Sequence, residues 1–199
     1  LSTLTLAARS AGTTGSATAT FSFDTGTLDA TTTVLTSRTG TTLTTGALAS
    51  TLNIGVGTAN LGAVTMAINT ATTATAGTAT ATLNISGGNV TAGSINMASA
   101  VNTGAVKVST STINLTGGTL TMSGNITRTG GTGTENTTLT LNGGTLDMGG
   151  FNIGSATLIG SGSGSLNFQS GTLKNVGEIN SGAAFNKTVA SLVDEMIMP

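Results

Sequence analysis

A nine-residue pattern recurs six times along this chain and constrains its fold more than any other feature. The pattern reads apolar, polar, apolar, two unrestricted residues, glycine, threonine or asparagine, apolar, polar. The copies are FSFDTGTLD, LNIGVGTAN, LNISGGNVT, INLTGGTLT, LTLNGGTLD and LNFQSGTLK, and they start at Phe21, Leu52, Leu83, Ile113, Leu139 and Leu166. The intervals between successive starts are 31, 31, 30, 26 and 27 residues. A period of this size is typical of a chain built from stacked structural repeats.

The alternation inside each copy predicts β-strands, because residues two apart in a strand share a face. The apolar first and third positions point inward, and the polar residue between them points outward. The next inward position lies five residues further on, an odd number, so the chain must turn between the two strands. The glycine before it supplies the positive φ or the close approach that such a turn needs. We therefore predict structural corners at Gly26, Gly57, Gly88, Gly118, Gly144 and Gly171.

Each interval also holds a further alternating segment, as at residues 64–68, 95–97 and 151–153, and a weaker one occurs at 105–108. Two or three short strands per repeat predict an all-β fold, a parallel β-solenoid of about six coils of 26–31 residues. An antiparallel barrel or sandwich would instead show independent hairpins every 8–12 residues. We assign residues 1–182 to one solenoid domain, in which residues 1–20 form an incomplete first coil.

The last segment, residues 183–199, has a different pattern. Its apolar residues follow helical spacing. They are Phe185, Val189, Leu192, Val193 and Met196. We predict a short C-terminal amphipathic helix that caps the solenoid or docks a following domain or subunit, because an uncovered edge strand invites association.

The composition excludes several classes of function. The chain contains no His and no Cys, and only 7% of its residues are charged. A Ser–His–Asp triad, a thiol nucleophile and a Cys/His zinc site are therefore ruled out. The six Lys and Arg residues provide no basic surface for nucleic acid, and no apolar run is long enough for membrane insertion. We expect no enzymatic activity, no cofactor and no metal ion.

Acidic residues remain the first place to look for catalysis, and three of them, Asp24, Asp29 and Asp147, are expected to face outward. Asp29 and Asp147 share a column but lie four coils apart, or about 19 Å at about 4.8 Å per coil. The members of a catalytic carboxylate pair lie only about 5–9.5 Å apart. Asp24 and Asp29 lie on opposite sides of one corner and could hold a calcium ion, but no neighbouring coil repeats the pair.

The outward positions suggest roles for the surface of the solenoid. Asn53, Asn84 and Asn114 occupy one column in consecutive coils and predict a ladder of hydrogen-bonded amides. Alternating threonines at 41–45, 78–82 and 138–140 suggest an ice-binding face, although the aligned repeats show no threonine column two residues wide. Residues 39–106 contain no charged residue, so little charge repulsion opposes lateral packing there.

The stretches LTGGTLTMSGNI and LNGGTLDMGGFNIG resemble the autotransporter-associated β-strand repeats of large bacterial surface proteins, and the resemblance covers residues 18–180. It implies a right-handed parallel β-helix that is secreted by a bacterium and lies at the cell surface or outside the cell. We expect a non-enzymatic structural or adhesive repeat, either a rigid spacer or a fibre subunit that associates laterally or end to end. The alternative is an ice-binding or carbohydrate-binding solenoid that uses an outward Thr/Asn face, for which a host or matrix carbohydrate is the second partner class.

Overall fold

The structure, a computed structural model, describes residues 1–10, 15–40, 46–72, 77–101, 106–154 and 163–179, and the backbone of 185–189. Every regular element in these ranges is a β-strand, and the strands pair in parallel. The prediction of an all-β parallel solenoid is confirmed. Each coil passes through three strand positions, which stack into three surfaces that we call the long wall, the short wall and the third wall.

The long wall contains the first three residues of each nine-residue copy and the residues that precede them. Its strands are β2 (Ala17–Phe23), β5 (Ala47–Ile54), β8 (Gly77–Ile85), β12 (Lys107–Leu115), β15 (Thr134–Asp147), β16 (Gly164–Lys174) and β17 (Phe185–Val189). The six repeat starts are Cα partners in one continuous ladder, from Phe21 and Leu52 through to Leu166. The repeat intervals found in the sequence are therefore the lengths of the coils.

The short wall follows the glycine corner. It consists of β3 (Thr27–Asp29), β6 (Thr58–Asn60), β9 (Asn89–Ala92) and β13 (Thr119–Met122), and the C-terminal parts of β15 and β16 continue it. These strands are short because the corner before them and the turn after them leave room for only a few ladder hydrogen bonds.

The third wall closes the coil. Its strands are β1 (Thr3–Arg9), β4 (Thr32–Arg38), β7 (Ala63–Asn69), β10 (Ile95–Asn96), β11 (Ser99–Ala100) and β14 (Ile126–Thr127). The alternating segments at 64–68 and 95–97 lie in this wall, and the segment at 151–153 contributes a single bridge at Ile153. Residues 1–20 were expected to form an incomplete first coil. In the structure they contribute β1 and most of β2 to that coil.

A bend interrupts the alternation of the third wall. Ala7, Thr36 and Ala67 have positive φ values of 49°, 64° and 48° at one position of consecutive strands. In β4 the bend turns Thr36 inward directly after Leu35, so two successive side chains are buried. Residues beyond the bend therefore have the opposite facing from the one that simple alternation predicts.

Apolar columns fill the interior beside the glycine corner. Leu52, Leu83, Ile113 and Leu139 are at most 1% exposed, and the inward positions of the short wall extend the same cluster. No coil could bury these side chains alone, because each packs against the equivalent residue of the coils above and below.

The predicted C-terminal helix is wrong where the structure describes it. Phe185 to Val189 form β17, which pairs in parallel with β16. The edge of β16 has unpaired backbone N–H and C=O groups. A strand forms hydrogen bonds with these groups, whereas a helix could only cover them, so the segment forms a strand despite the helical spacing of its apolar residues. Leu192, Val193 and Met196 lie outside the described residues.

Candidate functional site

The six repeat glycines lie at the corner between the long and short walls. Gly118 has a φ of +69°, and an added Cβ would collide with the carbonyl of Gly87 in the coil below. Gly57 is different: its φ is not left-handed, but an added Cβ would lie 2.5 Å from the ring of Phe23. The φ values of the others are 96° at Gly26, 66° at Gly88, 68° at Gly144 and 103° at Gly171.

An amide ladder runs along the outer surface of the long wall next to this corner. Asn114 Nδ2 donates to Asn84 Oδ1 at 2.9 Å, and Asn84 Nδ2 donates to Asn53 Oδ1 at 2.8 Å. Asn53 Nδ2 in turn donates to Ser22 Oγ at 3.1 Å. Each inner rung both donates and accepts a hydrogen bond, so the ladder links four coils outside the backbone sheet.

The acidic residues of the outer surface are separated from one another. Asp29 and Asp147 occupy one column of the short wall, four strand steps apart. Asp29 Oδ1 accepts a hydrogen bond from Asn60, and Asp147 forms a 3.2 Å ion pair with Lys174. Asp24 is exposed at the first glycine corner. Within the described ranges, no three acidic side chains approach closely enough to hold a metal ion.

Ionisation of Asp147 is favoured by its neighbours. Partial burial acts to raise its pKa, but hydrogen bonds from Asn175 and from the Gly149 N–H, together with Lys174, outweigh that effect and lower it. The carboxylate is therefore held by groups of its own coil and the next one. This arrangement stabilises a surface charge and does not resemble the raised pKa of a general acid.

A second polar group lies inside the solenoid, where the third wall turns into the long wall, and we call it the charged corner. It comprises Arg38, Asn69, Lys107, Arg128 and Glu135, all at most 2% exposed. These residues come from four coils, and the sequence analysis did not identify them as a group.

Arg38 and Asn69 connect the two walls in the upstream part of the charged corner. Arg38 Nη1 donates to Asn69 Oδ1 at 3.1 Å. Asn69 Nδ2 donates to the carbonyl oxygens of Gly77 and Val108 at 2.7 and 3.0 Å. The guanidinium of Arg38 fills the space beside Gly77, where an added Cβ would lie 2.5 Å from Cζ.

Glu135 and Arg128 form the downstream part. Arg128 Nε lies 3.4 Å from Glu135 Oε2, and Arg128 Nη1 donates to the Glu135 carbonyl oxygen at 2.9 Å. Glu135 Oε1 accepts from the Ala100 backbone N–H at 2.6 Å. The carboxylate therefore joins the end of β11 to the start of β15, across the turn between the walls.

Burial shifts the pKa of every charged group in the corner. Burial raises the pKa of Glu135, although the Ala100 N–H, Arg128 and the Gly130 N–H oppose that shift. Burial and the charge of Arg9 lower the pKa of Arg38, and burial and the charge of Arg38 lower the pKa of Lys107. Burial also lowers the pKa of Arg128, against the effect of Glu135. The cluster is closed to a dissolved substrate, so its chemistry is that of a structural bridge.

Part of this cluster could have been read from the sequence. In β12 and β15 the inward alternation runs backward from Ile113 and Leu139 without interruption, which places Lys107 and Glu135 inside. The weak alternating segment at 105–108 includes Lys107, which is fully buried, whereas Val106 is 57% exposed.

Burial of these charges leaves the outer surface of the central coils uncharged. Between Ala30 and Leu146 the only charged residues are Arg38, Lys107, Arg128 and Glu135, and all four are buried. The uncharged segment 39–106 is thus one part of a longer neutral surface.

The chain was compared with known protein families, curated proteins and solved structures. No known protein family, curated protein or solved structure was found to match the chain. Within the part of the chain that the structure describes, no helix is long and apolar enough to cross a membrane.

Proposed function

We propose that this chain is a non-enzymatic structural or adhesive repeat of an exported bacterial surface protein, and that its uncharged walls let the rods pack side by side. The observation that carries the proposal is the burial of every charged side chain between Ala30 and Leu146. Net charge and exposed charges normally keep proteins apart, and this surface has none over its central coils.

A rigid spacer role is supported by the way the coils are joined. Parallel backbone ladders connect successive coils in all three walls. The amide ladder from Asn114 to Ser22 links the same coils on the outside, and the charged corner links them on the inside. Bending or extending the rod would break all three kinds of contact together.

The third wall provides a surface for lateral contact. Val34 and Ile68 point outward from β4 and β7 as half-buried apolar side chains, and Thr65 is the Cα partner of Val34 on β7. Contact there would bury apolar area without removing a charge from water. The bacterial, extracellular setting is supported by the resemblance of the GGTL corners to autotransporter-associated repeats.

Sedimentation velocity over a series of concentrations tests the association. The 199-residue chain is expected to form larger species as its concentration rises, and added salt is not expected to dissociate them, because no ion pair is there to be screened. Thr65→Lys should weaken association by about tenfold, since its ammonium must be desolvated at the contact. Thr82→Lys on the long wall is the matched control and should associate as the wild type does.

Negative-stain microscopy supplies the contrary outcome. Isolated short rods at every concentration would overturn the proposal. Equal weakening by Thr65→Lys and Thr82→Lys would reject the third wall as the contact surface.

A further inference from the structure

The outer face of the long wall carries a column of five threonines in five consecutive coils. The register pairs Thr20 with Thr51, Thr51 with Thr82, Thr82 with Thr112, and Thr112 with Thr138. Adjacent members are separated by one strand spacing, about 4.8 Å. Each member directly precedes the first residue of a repeat copy.

A second column runs beside the first, two residues earlier in each strand. It contains Thr18, Thr80 and Thr110, with Ala49 and Asn136 in the other two coils. Three coils therefore present two threonines on the same face, about 6.6 Å apart along the strand. The result is a partial grid of threonines two columns wide, so the expectation that the aligned repeats contain no such grid is corrected.

The hydroxyl groups of this grid are free to bind water. Within the described structure, Thr51, Thr82 and Thr112 donate and accept no side-chain hydrogen bond, in contrast to the neighbouring asparagines, which bond to one another. Only at the end of the column does Thr138 Oγ1 accept a bond, from Ser165 at 3.3 Å. A threonine side chain is stiff at χ1, so its methyl and hydroxyl groups stay in place without such bonds.

The surroundings favour a crystalline, uncharged ligand. None of the described outward side chains of β5, β8 and β12 is charged or aromatic. A charged group would keep its own hydration shell, and a sugar-binding face commonly relies on aromatic rings with a polar edge. A rigid array of alternating methyl and hydroxyl groups can instead hold a first layer of water in a fixed pattern.

We propose that the threonine grid of the long wall binds the surface of ice. The water bound by the free hydroxyls would join the crystal, while the methyl groups gain from the removal of apolar surface from liquid water. The parallel strands supply the fixed spacing, and the hydrogen-bonded asparagine column beside the grid holds the wall rigid. This proposal does not depend on self-association through the third wall.

Partition into growing polycrystalline ice tests the proposal, with the 199-residue chain as the probe. The wild type is expected to enter the ice fraction and to halt recrystallisation of fine-grained ice. Thr82→Lys should lower the ice-bound fraction about tenfold, because its charge interrupts the column and resists loss of water. Thr65→Lys, which adds the same charge to the third wall, is the matched control and should partition as the wild type does. Far-UV circular dichroism establishes that both variants are folded.

A conservative substitution sharpens the test. Thr82→Val keeps the shape and removes the hydroxyl, so it should bind ice more weakly than the wild type and better than Thr82→Lys. Exclusion of the wild-type protein from ice would overturn the proposal. So would equal losses in Thr82→Lys and Thr65→Lys, or binding to insoluble chitin or cellulose but not to ice.

Discussion

The inward face of the long wall has two halves that stabilise the fold in different ways. In β12, Lys107, Ser109 and Ser111 line the half next to the third wall, and Ile113 and Leu115 line the half next to the glycine corner. The apolar half recurs in each coil of the repeat. The other half, which we call the polar half after its residues in β12, changes from coil to coil and contains Ala79 and Ala81 in β8.

The difference follows from the nature of the two interactions. Burial of apolar surface is non-directional and contributes about 1.5–3 kcal/mol per large side chain, so leucine or isoleucine fits every coil. A buried charge needs donors or acceptors at specific positions, which only particular neighbouring atoms supply. Glu135, for example, requires both Arg128 and the Ala100 N–H. The apolar half can therefore repeat, and the polar half cannot.

Removal of the Glu135 carboxylate should break the polar half with the largest effect. Glu135→Ala is expected to lower the free energy of unfolding by about 3–5 kcal/mol, because it leaves a buried guanidinium without its ion pair. Urea denaturation followed by circular dichroism measures this loss. Asp24→Ala removes an exposed carboxylate and should change stability by no more than about 0.5 kcal/mol. Similar losses in the two variants would contradict the structural role of Glu135.

Truncation of one apolar rung tests the other half. Leu83→Ala should lower the free energy of unfolding by about 3 kcal/mol, since the cavity lies between Leu52 and Ile113 and cannot readily collapse. The adjacent outward variant Thr82→Ala is the control and should cost about 0.5 kcal/mol or less. If the two denaturation midpoints coincide, the inward assignment of Leu83 is wrong.

Replacement of Lys107 should have a smaller effect of the opposite sign. Lys107→Met is expected to raise the free energy of unfolding by about 1 kcal/mol at neutral pH, because it removes a desolvated charge near Arg38 and keeps most of the side-chain volume. Lys107→Ala, which leaves a cavity, should not share this gain.

The same substitution should alter the dependence of stability on pH. The pKa of Lys107 in the folded chain is below the ordinary value of 10.5, so the unfolded chain binds a proton there over a range where the folded chain does not. Stability of the wild type should therefore rise with pH through that range, and the advantage of Lys107→Met should disappear above about 10.5. Denaturation midpoints that differ equally at all pH values would contradict this origin.

The amide ladder lies on the outer side of the apolar half. Removal of one of its rungs should change stability by about as much as Lys107→Met does, but in the destabilising direction. Asn84→Ala loses the bonds to Asn53 and Asn114 and should lower the free energy of unfolding by about 1 kcal/mol. Asn89→Ala, at an exposed position of the short wall, is the matched control. Equal thermal unfolding temperatures for the two variants would show that the ladder adds no stability.

The burial of the charged residues could be predicted from the sequence in the long wall but not in the third wall. Lys107 and Glu135 share the inward parity of Ile113 and Leu139, so continuing the alternation backward places them inside. Arg38 has the opposite parity to Leu35 and would be assigned to the surface. The left-handed residue Thr36 reverses that parity, and no local signal marks a threonine for positive φ.

The C-terminal segment shows a related limit. Phe185 and Val189 are four residues apart, a spacing that helices favour, but the open edge of β16 offers backbone partners. Pairing of this kind depends on what lies beside the segment in space. A pattern within the segment cannot report it.

The sequence by itself determined the coil length, the inward face beside the glycine corner and the parallel stacking, because apolar burial imposes the same residue types on every coil. Only the tertiary structure decided which polar groups of the charged corner meet, since partners such as Ala100 and Glu135 lie in different walls. Their pairing depends on the turns and bends between them. Hydrogen bonds act over about 3 Å, so these turns and bends must bring each donor and its acceptor to within that distance.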